Sequence, residues 1–226
     1  MIFGSDYQPK ESLLITITLH SATALSTLFY FRKELLDLKN NQKLLSLLII
    51  GSIPIVITGY IVSTTGLINL LENNLKIIAW TTLIFGIILY VADKSKFDKK
   101  ISSNLNFKTI LYIGLFQILA LIPGVSRAGI TITAARLFRF NRFDSSKISF
   151  LLAIPAIAGA SVLQLKDAIE QSFELNYLIL ISITLSFLFS YFTVKFFLDY
   201  INKFSLNVFV IYRIIISIIL FIIIYN

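Results

Sequence analysis

The chain contains no cysteine and only one histidine, His20, among its 226 residues. These absences exclude a disulfide framework, a thiolate nucleophile, and any metal site built from cysteine or from several histidines. Charged residues make up only 14% of the chain, whereas a soluble domain has about 25%. This scarcity argues against a soluble globular enzyme, and the high apolar content excludes a disordered chain.

Apolar residues are abundant instead, at 57% of the chain. They are concentrated in stretches close to the length of roughly 20 residues that a transmembrane helix needs. The sequence therefore predicts an all-α integral membrane protein with six transmembrane helices and, as argued below, one re-entrant helical hairpin. The six spans are predicted over residues 12–31, 44–62, 75–92, 148–165, 177–198 and 206–225.

The basic residues that give the chain its net charge of +8 lie in short clusters between the apolar stretches. Such clusters are typical of cytoplasmic membrane loops, and we expect no nucleic-acid partner. The clusters lie at 32–43, 93–108 and 139–147, whereas segments 63–75 and 164–176 are poor in lysine and arginine. The positive-inside rule places the three clusters in the cytoplasm, and the N-terminus and the two remaining segments on the opposite side.

Residues 109–138 interrupt this alternation, because both of their flanks are basic and are therefore expected in the cytoplasm. The helix-breaking pair Pro123-Gly124 lies in the middle of this apolar stretch. The pattern predicts a re-entrant helical hairpin, in which 109–122 enters the membrane and 129–138 returns to the same side. Irregular backbone at membrane depth is tolerated only inside protein or along a watery cavity, so the hairpin indicates a functional site.

The hairpin also divides the spans into two groups of three. Because three is an odd number, the two groups have opposite orientations, as in an inverted repeat whose site lies at the repeat interface. We expect one polytopic membrane domain over 1–226, with one repeat over 1–108 and a second, containing the hairpin, over 109–226. The symmetry predicts another hairpin before residue 12. Only eleven residues precede that position, so the first repeat is predicted to be incomplete.

The stretch PGVSRAG at the hairpin tip carries the candidate chemistry. An embedded arginine costs about 2.5–3.5 kcal/mol on insertion scales, and no carboxylate is near Arg127 in sequence, so a phosphate group is a suitable partner. Gly124 and Gly129 allow a ligand to approach the backbone closely. The N-terminus of the second half-helix favours an anion, and Ser126 and Thr131 add hydroxyl groups. The alternative is a Pro-Gly kink whose arginine extends to the membrane surface.

Among the other polar side chains in the predicted membrane segments, three are given specific roles. His20 could act as a general acid/base or a phosphate ligand, or it could be a neutral imidazole bonded to a neighbouring helix. For Arg213 we expect a side chain that extends to the cytoplasmic surface. For Gln117 we expect a hydrogen bond to another helix.

Several of these segments resemble one known family. GLFQILALIPGVSRAGITITAARLF (114–138) and SFLLAIPAIAGA (149–160) resemble the second signature of the undecaprenyl-diphosphate phosphatases, the bacitracin-resistance proteins. Further resemblance, in the family's order, extends over ITLHSATALSTLFYFRKEL (17–35), IGSIPIVITGYI (50–61) and FVIYRIIISIILF (209–221). The resemblance implies a multi-pass hydrolase of the bacterial inner membrane that removes the terminal phosphate of undecaprenyl diphosphate at a site facing the periplasm. Its product would be the lipid carrier for peptidoglycan synthesis, and its overproduction would confer bacitracin resistance.

The resemblance also implies roles for individual residues. Arg127 would bind the diphosphate, and Ser126 and Thr131 would hydrogen-bond its oxygens, so that Arg127, Ser126 and His20 are the candidate catalytic residues. The family pattern usually reads Ser-Arg-Ser-Gly, whereas Ala128 here replaces the second serine. The family's first hairpin, expected to supply acid/base carboxylates and the nucleophile, has no counterpart in this sequence.

Two alternatives to an active phosphatase stay open at this stage. One is a catalytically inactive homologue that only binds polyprenyl diphosphate, and the other is a lipid-carrier translocase, because inverted repeats with broken helices also build transporters. No metal site is predicted from the protein residues, although a divalent cation, magnesium or calcium, could bridge the diphosphate. The expected partners are the lipid substrate and the bilayer, and a homodimer is kept open.

Overall fold

A computed structural model describes residues 9–36, 38–66, 74–94, 99–169 and 177–225. Within these residues the chain is almost entirely helical, and the only extended pairing is an isolated bridge. The α-helices, in chain order, are α1 (Pro9–Tyr30), α2 (Arg32–Leu36), α3 (Leu38–Thr65), α4 (Leu75–Lys94), α5 (Ile101–Asn104), α6 (Phe107–Gln117), α7 (Arg127–Leu137), α8 (Arg142–Ile169), α9 (Tyr177–Lys203) and α10 (Asn207–Tyr225). A 3₁₀ turn, Ile118–Leu121, extends α6.

Five stretches within the described helices are long and apolar enough to cross a membrane. They are Asn41–Thr65, Leu75–Lys94, Arg142–Ala160, Ile179–Lys203 and Asn207–Tyr225. The prediction of an all-helical, multi-pass membrane protein is therefore confirmed. The sixth predicted span, 12–31, coincides with α1, but six spans plus a re-entrant hairpin stay a prediction. The predicted outer segments 63–75 and 164–176 lie mostly outside the described residues.

The two arms predicted for the hairpin form a pair of short helices that pack against each other, α6 and α7; re-entry into the membrane stays a prediction. The Asn106 side chain caps the start of α6 by accepting a hydrogen bond from the Thr109 amide (3.0 Å). The first arm ends before Pro123, whose ring cannot continue a helix, and α7 begins at Arg127. The structure thus lengthens the predicted arms, 109–122 and 129–138, by about two residues at the start of each.

Both ends of the hairpin lie at the same end of the molecule, which we call the basic end because it carries the predicted cytoplasmic clusters. The Lys99 amide donates to the Arg139 carbonyl, and the Asn141 amide donates to the Lys99 carbonyl, each at 3.1 Å. Lys147 also forms an ion pair with Glu34 at 2.6 Å, which brings α2 to the start of α8. The segments before and after the hairpin are therefore adjacent, as the charge pattern predicts.

A buried carboxylate, Asp93, connects four helices at the basic end. Its two oxygens accept hydrogen bonds from Arg142 Nε and Nη2 at 2.8 and 3.0 Å. Arg136 Nε lies 3.4 Å from one of these oxygens, and the Leu206 amide donates to the other at 3.2 Å. The return arm α7 is therefore tied to α4, α8 and the start of α10.

The helices contact one another in a pattern that places the hairpin between two groups. The second arm, α7, contacts α8 on one side and α4 on the other. Helix α1 contacts both α8 and α9, and α4 packs along α10. The hydrogen bond predicted between Gln117 and another helix is not formed. The Gln117 side chain is fully buried, but neither its amide nitrogen nor its amide oxygen has a hydrogen-bond partner among the described residues.

The first arm of the hairpin contacts α3 closely enough that two glycines are required. A Cβ built on Gly114 would overlap the carbonyl group of Gly51, and one built on Gly51 would lie 2.7 Å from Ile110 Cγ1. The obstacle at Gly114 is backbone, so it cannot move aside as a side chain could. This contact holds α6 against the wall formed by α3.

We expect Gly114→Ala to destabilise the protein by about 1–3 kcal/mol, the usual cost of overpacking a close contact. Thermal unfolding of the purified chain in detergent measures the effect. Gly59→Ala is the matched control, because its added Cβ would meet only Leu121 Cδ2 at an ordinary 4.0 Å. Equal melting temperatures for the two variants would contradict the close contact.

Candidate functional site

The tip of the hairpin is a tight turn that only glycine can form at its second position. Gly124 has a φ of +86°, in the left-handed region. A Cβ at this position would lie 2.6 Å from the Ile78 carbonyl oxygen and would also overlap Thr81 Oγ1. The Val125 amide closes the turn by donating to the Ile122 carbonyl at 3.2 Å.

Ser126 follows the turn in an unusual backbone conformation. Its φ is +68°, although it is not glycine. Such a conformation costs of order 1–3 kcal/mol, and residues of this kind are concentrated at functional sites. The Ser126 hydroxyl caps α7 by accepting a hydrogen bond from the Gly129 amide at 3.2 Å, and its side chain is exposed. The strain therefore places a hydroxyl group and the free amides of the first turn of α7 at the hairpin tip.

Two threonines of α4 and Arg213 of α10 hold the turn from one side. Thr81 Oγ1 donates to the Pro123 carbonyl at 2.6 Å, and Thr82 Oγ1 donates to the Gly124 carbonyl at 3.2 Å. Arg213 Nη2 donates to the same Gly124 carbonyl at 2.9 Å, and its Nε donates to the Thr82 carbonyl at 3.3 Å. Both carbonyl groups at the break between the two helices are therefore satisfied by side chains.

The expectation that Arg213 extends to the cytoplasmic surface was wrong. Its side chain is only 8% exposed and points to the hairpin turn. Gly86 on α4 makes this possible, because a Cβ there would lie 3.3 Å from Arg213 Cβ and 3.5 Å from its Nε. Because Gly86 has no side chain, the Arg213 guanidinium can cross the surface of α4 and reach the turn.

Arg127, the central residue of the sequence prediction, faces the opposite side of the hairpin. Its Nη1 donates to the Ser149 carbonyl at 3.2 Å. Among the described residues no carboxylate lies within 4 Å of its guanidinium. Arg127 therefore keeps donors that are not paired with an opposite charge.

A cavity of about 390 Å³ lies in front of Arg127, between α1, α8 and α9. Its walls are mostly apolar, like those of the second cavity described below, but five hydroxyl side chains from α1 and α9 are among them. They belong to Thr23, Thr27, Ser186, Ser190 and Thr193. A cation in the wall of a cavity that also carries hydroxyl side chains, at the N-terminus of a helix, is suited to an anion such as phosphate.

The remaining predicted ligands do not all face this cavity. Thr131 is fully buried, and its hydroxyl group lies 2.6 Å from Ser149 Oγ, so it joins α7 to α8. Gly124, Ser126 and Gly129 line a second cavity of about 440 Å³ on the Arg213 side, with mostly apolar walls. Of the five predicted diphosphate-binding residues, three therefore line the second cavity, Arg127 lines the first, and Thr131 lines neither.

His20 is exposed on α1 and is absent from the described lining of either cavity. It lies three and seven positions before Thr23 and Thr27, so all three side chains share one face of the helix. The described structure thus places His20 one turn beyond the hydroxyl-lined cavity, towards the N-terminus of α1. Its catalytic role stays a prediction.

Arg213, Thr81, Thr82 and Ser149 are site residues that reasoning from sequence missed. Only Arg213 gave a signal, as a single cation in an otherwise uncharged span. In the described part of the chain, no group of three histidine, aspartate or glutamate side chains could hold a metal ion. Binding of magnesium or calcium together with the diphosphate stays a prediction.

Comparisons with known proteins agree on one family. The family model described as bacitracin resistance protein BacA matches residues 1–219. The undecaprenyl-diphosphatase of Pelagibacter ubique strain HTCC1062 is 90% identical over 217 residues, which cover 96% of this chain and 85% of that protein. Undecaprenyl-diphosphatases of Elusimicrobium minutum and Alcanivorax borkumensis are 39% and 32% identical, covering 98% and 93% of this chain, and 86% and 84% of their own lengths.

We expect Arg213→Gln to loosen the hairpin turn. A hydrogen bond from a charged donor contributes about 1.5–3 kcal/mol, so amide exchange across 122–126 should accelerate about tenfold or more. Hydrogen–deuterium exchange with mass spectrometry measures this directly. Lys108→Gln, which removes a charge at the far end of the hairpin, should leave exchange in the turn unchanged. Identical protection in Arg213→Gln and the unmodified chain would contradict the role of Arg213.

Proposed function

Because the chain belongs to the BacA family of bacitracin resistance proteins, we propose that it hydrolyses undecaprenyl diphosphate to undecaprenyl phosphate and inorganic phosphate. Such a hydrolase regenerates the lipid carrier used in peptidoglycan synthesis, and its overproduction counters bacitracin. The observation that carries the proposal for this chain is Arg127, a cation without a carboxylate partner in the described structure, facing a cavity lined with hydroxyl groups.

The reaction joins a water oxygen to the terminal phosphorus and breaks the bond from that phosphorus to the bridging oxygen. The bridging oxygen leaves with undecaprenyl phosphate, so the site must stabilise negative charge on both products. In this proposal Arg127 binds the phosphate oxygens through two parallel hydrogen bonds. The first amides of α7 add fixed positive dipoles, which need little reorganisation during the reaction. No described residue is assigned as the nucleophile or general acid.

The other predicted ligands contribute to this site in different ways. Ser126 offers an exposed hydroxyl group at the tip, on the side of the second cavity. Thr131 supports Arg127 indirectly, since it bonds to Ser149, whose carbonyl accepts from Arg127. The described residues do not form a protein metal site, so no step is derived through magnesium or calcium.

We expect Arg127→Ala to lower kcat/KM for undecaprenyl diphosphate by about 100- to 1,000-fold, the usual effect of removing one donor that stabilises transition-state charge. Arg127→Lys should recover part of the rate, because lysine keeps the charge but loses the paired hydrogen bonds. Phosphate release from the purified full chain in detergent is the measurement.

Lys108→Ala, which removes a cation from the other end of the hairpin, is the matched control and should keep the full rate. An Arg127→Ala variant as fast as the unmodified chain would refute the role of Arg127. A folded, unmodified chain that releases no phosphate would refute the hydrolase itself. Movement of the lipid across liposomes without hydrolysis would then favour the translocase, and binding alone would favour the inactive homologue.

We also propose that the protein lies in the bacterial inner membrane as six spans plus a re-entrant hairpin, with the site open to the periplasm. The adjacency of Lys99 and Arg139 supports re-entry, because both flanks of the hairpin are at the basic end. The contacts support an inverted repeat. If α1, α3 and α4 correspond to α8, α9 and α10, the pairs α1–α9 and α3–α8 are equivalent, and both are present. Whether the protein forms a homodimer can be tested by measuring the mass of the purified particle.

The cysteine-free sequence allows a direct test of this topology. Single substitutions Lys108→Cys and Arg139→Cys should both react with a membrane-impermeant maleimide only from the cytoplasmic side. Thr64→Cys should react only from the periplasm, as should Ser126→Cys at the hairpin tip. Labelling of positions 108 and 139 from opposite sides would contradict a re-entrant hairpin, and cytoplasmic labelling of position 126 would contradict a periplasmic site.

A further inference from the structure

A cavity of about 680 Å³ lies at the basic end, away from the hairpin tip. Asp93, which lines it, is about 16 Å along α4 from Thr82 at the turn, at a rise of 1.5 Å per residue. We call this cavity the basic pocket, because its walls carry five cationic side chains and only two carboxylates. The cations are Lys94, Lys100, Arg136, Arg142 and Lys203, and the carboxylates are Asp93 and Asp144.

Both carboxylates of the basic pocket accept hydrogen bonds within the protein. Asp93 accepts hydrogen bonds from Arg142 and the Leu206 amide and forms an ion pair with Arg136. Asp144 accepts from the Ile101 amide at 3.2 Å and from Asn141 Nδ2 at 2.9 Å. Even with Asp144 free of any ion pair within 4 Å among the described residues, five cations against two carboxylates leave the pocket with an excess of positive charge.

The three lysines carry that excess. Among the described residues, none of them has a carboxylate within 4 Å. Lys94 Nζ lies over the Tyr90 ring at 4.4 Å, and Lys100 and Lys203 are exposed at the pocket. Ammonium groups around a recess at the end of membrane-spanning helices are suited to a phosphate-bearing headgroup.

Aromatic side chains on α9 indicate that this phosphate belongs to a lipid. Phe204 lines the pocket and stacks on Tyr200, with ring centroids 4.9 Å apart, and Tyr200 stacks on Phe196 at 6.3 Å. Phe204 is 55% exposed and Phe196 is 72% exposed. This aromatic ladder runs from the pocket along the outer face of a predicted membrane span, where an acyl chain would lie.

We propose that the basic pocket binds the phosphate headgroup of an anionic membrane lipid, with its acyl chain along the ladder of Phe204, Tyr200 and Phe196. The lysines supply the charge, and the Asp93–Arg142 pair fixes the walls. The site is separate from the hairpin tip, and the inference does not depend on the proposed hydrolase activity.

Binding of phosphatidylglycerol labelled on its acyl chain to the purified full chain in detergent tests this proposal. The double variant Lys100→Gln/Lys203→Gln should weaken binding by about 30-fold, if each lysine contributes as it does near an anionic lipid surface. Lys33→Gln/Lys108→Gln is the matched control, because it removes two exposed lysines from the same end but outside the pocket. This control should stay within about twofold of the unmodified chain.

Competition experiments distinguish a lipid from a soluble phosphate. Unlabelled phosphatidylglycerol should displace the probe, whereas phosphatidylcholine, glycerol phosphate and inorganic phosphate should not at equal concentration. Phe204→Ala should weaken binding of the lipid while thermal unfolding in phosphatidylcholine stays unchanged. Equal losses in the two lysine pairs would show a general surface-charge effect and overturn the proposal, as would displacement by inorganic phosphate at the same concentration.

Discussion

The carbonyl groups of Pro123 and Gly124 impose the constraint on which the rest of the site depends. A chain that breaks a helix inside a membrane leaves polar backbone groups that no water can satisfy, and each would cost several kcal/mol. Thr81, Thr82 and Arg213 supply the missing donors. The hairpin can reverse its direction only because α4 and α10 present these three side chains at the depth of the turn.

Two arginines consequently have different tasks on the two faces of the hairpin. Arg213 is committed to backbone carbonyls, so its charge is used to hold the protein together. Arg127 makes one bond to a carbonyl, at 3.2 Å, and faces a cavity lined with hydroxyl groups. Neither has a carboxylate partner within 4 Å in the described residues. Of the two, Arg127 has the donors to spare for a ligand.

Hydropathy and charge were sufficient to predict an all-helical chain with several apolar spans and the adjacency of residues 99 and 139, because both follow from local composition. The helix-breaking pair Pro123-Gly124 is sufficient to locate the turn from the sequence. The destination of Arg213 could not be predicted, since it depends on Gly86 of α4 lying against α10. The sequence also could not show that the predicted ligands line different cavities. Neighbouring residues at the start of a helix project to different sides, so Arg127 faces one cavity while Ser126 and Gly129 face the other. The buried amide of Gln117 shows the same limit, since its surroundings depend on packing between helices.

The hairpin is held at both ends, and this bears on how it could act on a ligand. At the basic end Asp93 fixes the return arm to α4, α8 and α10, and at the tip Arg213 and the threonines fix the turn. The strained Ser126 and the first amides of α7 are thus fixed before any ligand arrives. Fixed dipoles stabilise developing charge without the reorganisation that flexible groups require. The wall facing Arg127, by contrast, comes from α1, α8 and α9, and neither α1 nor α9 takes part in these hydrogen bonds to the hairpin.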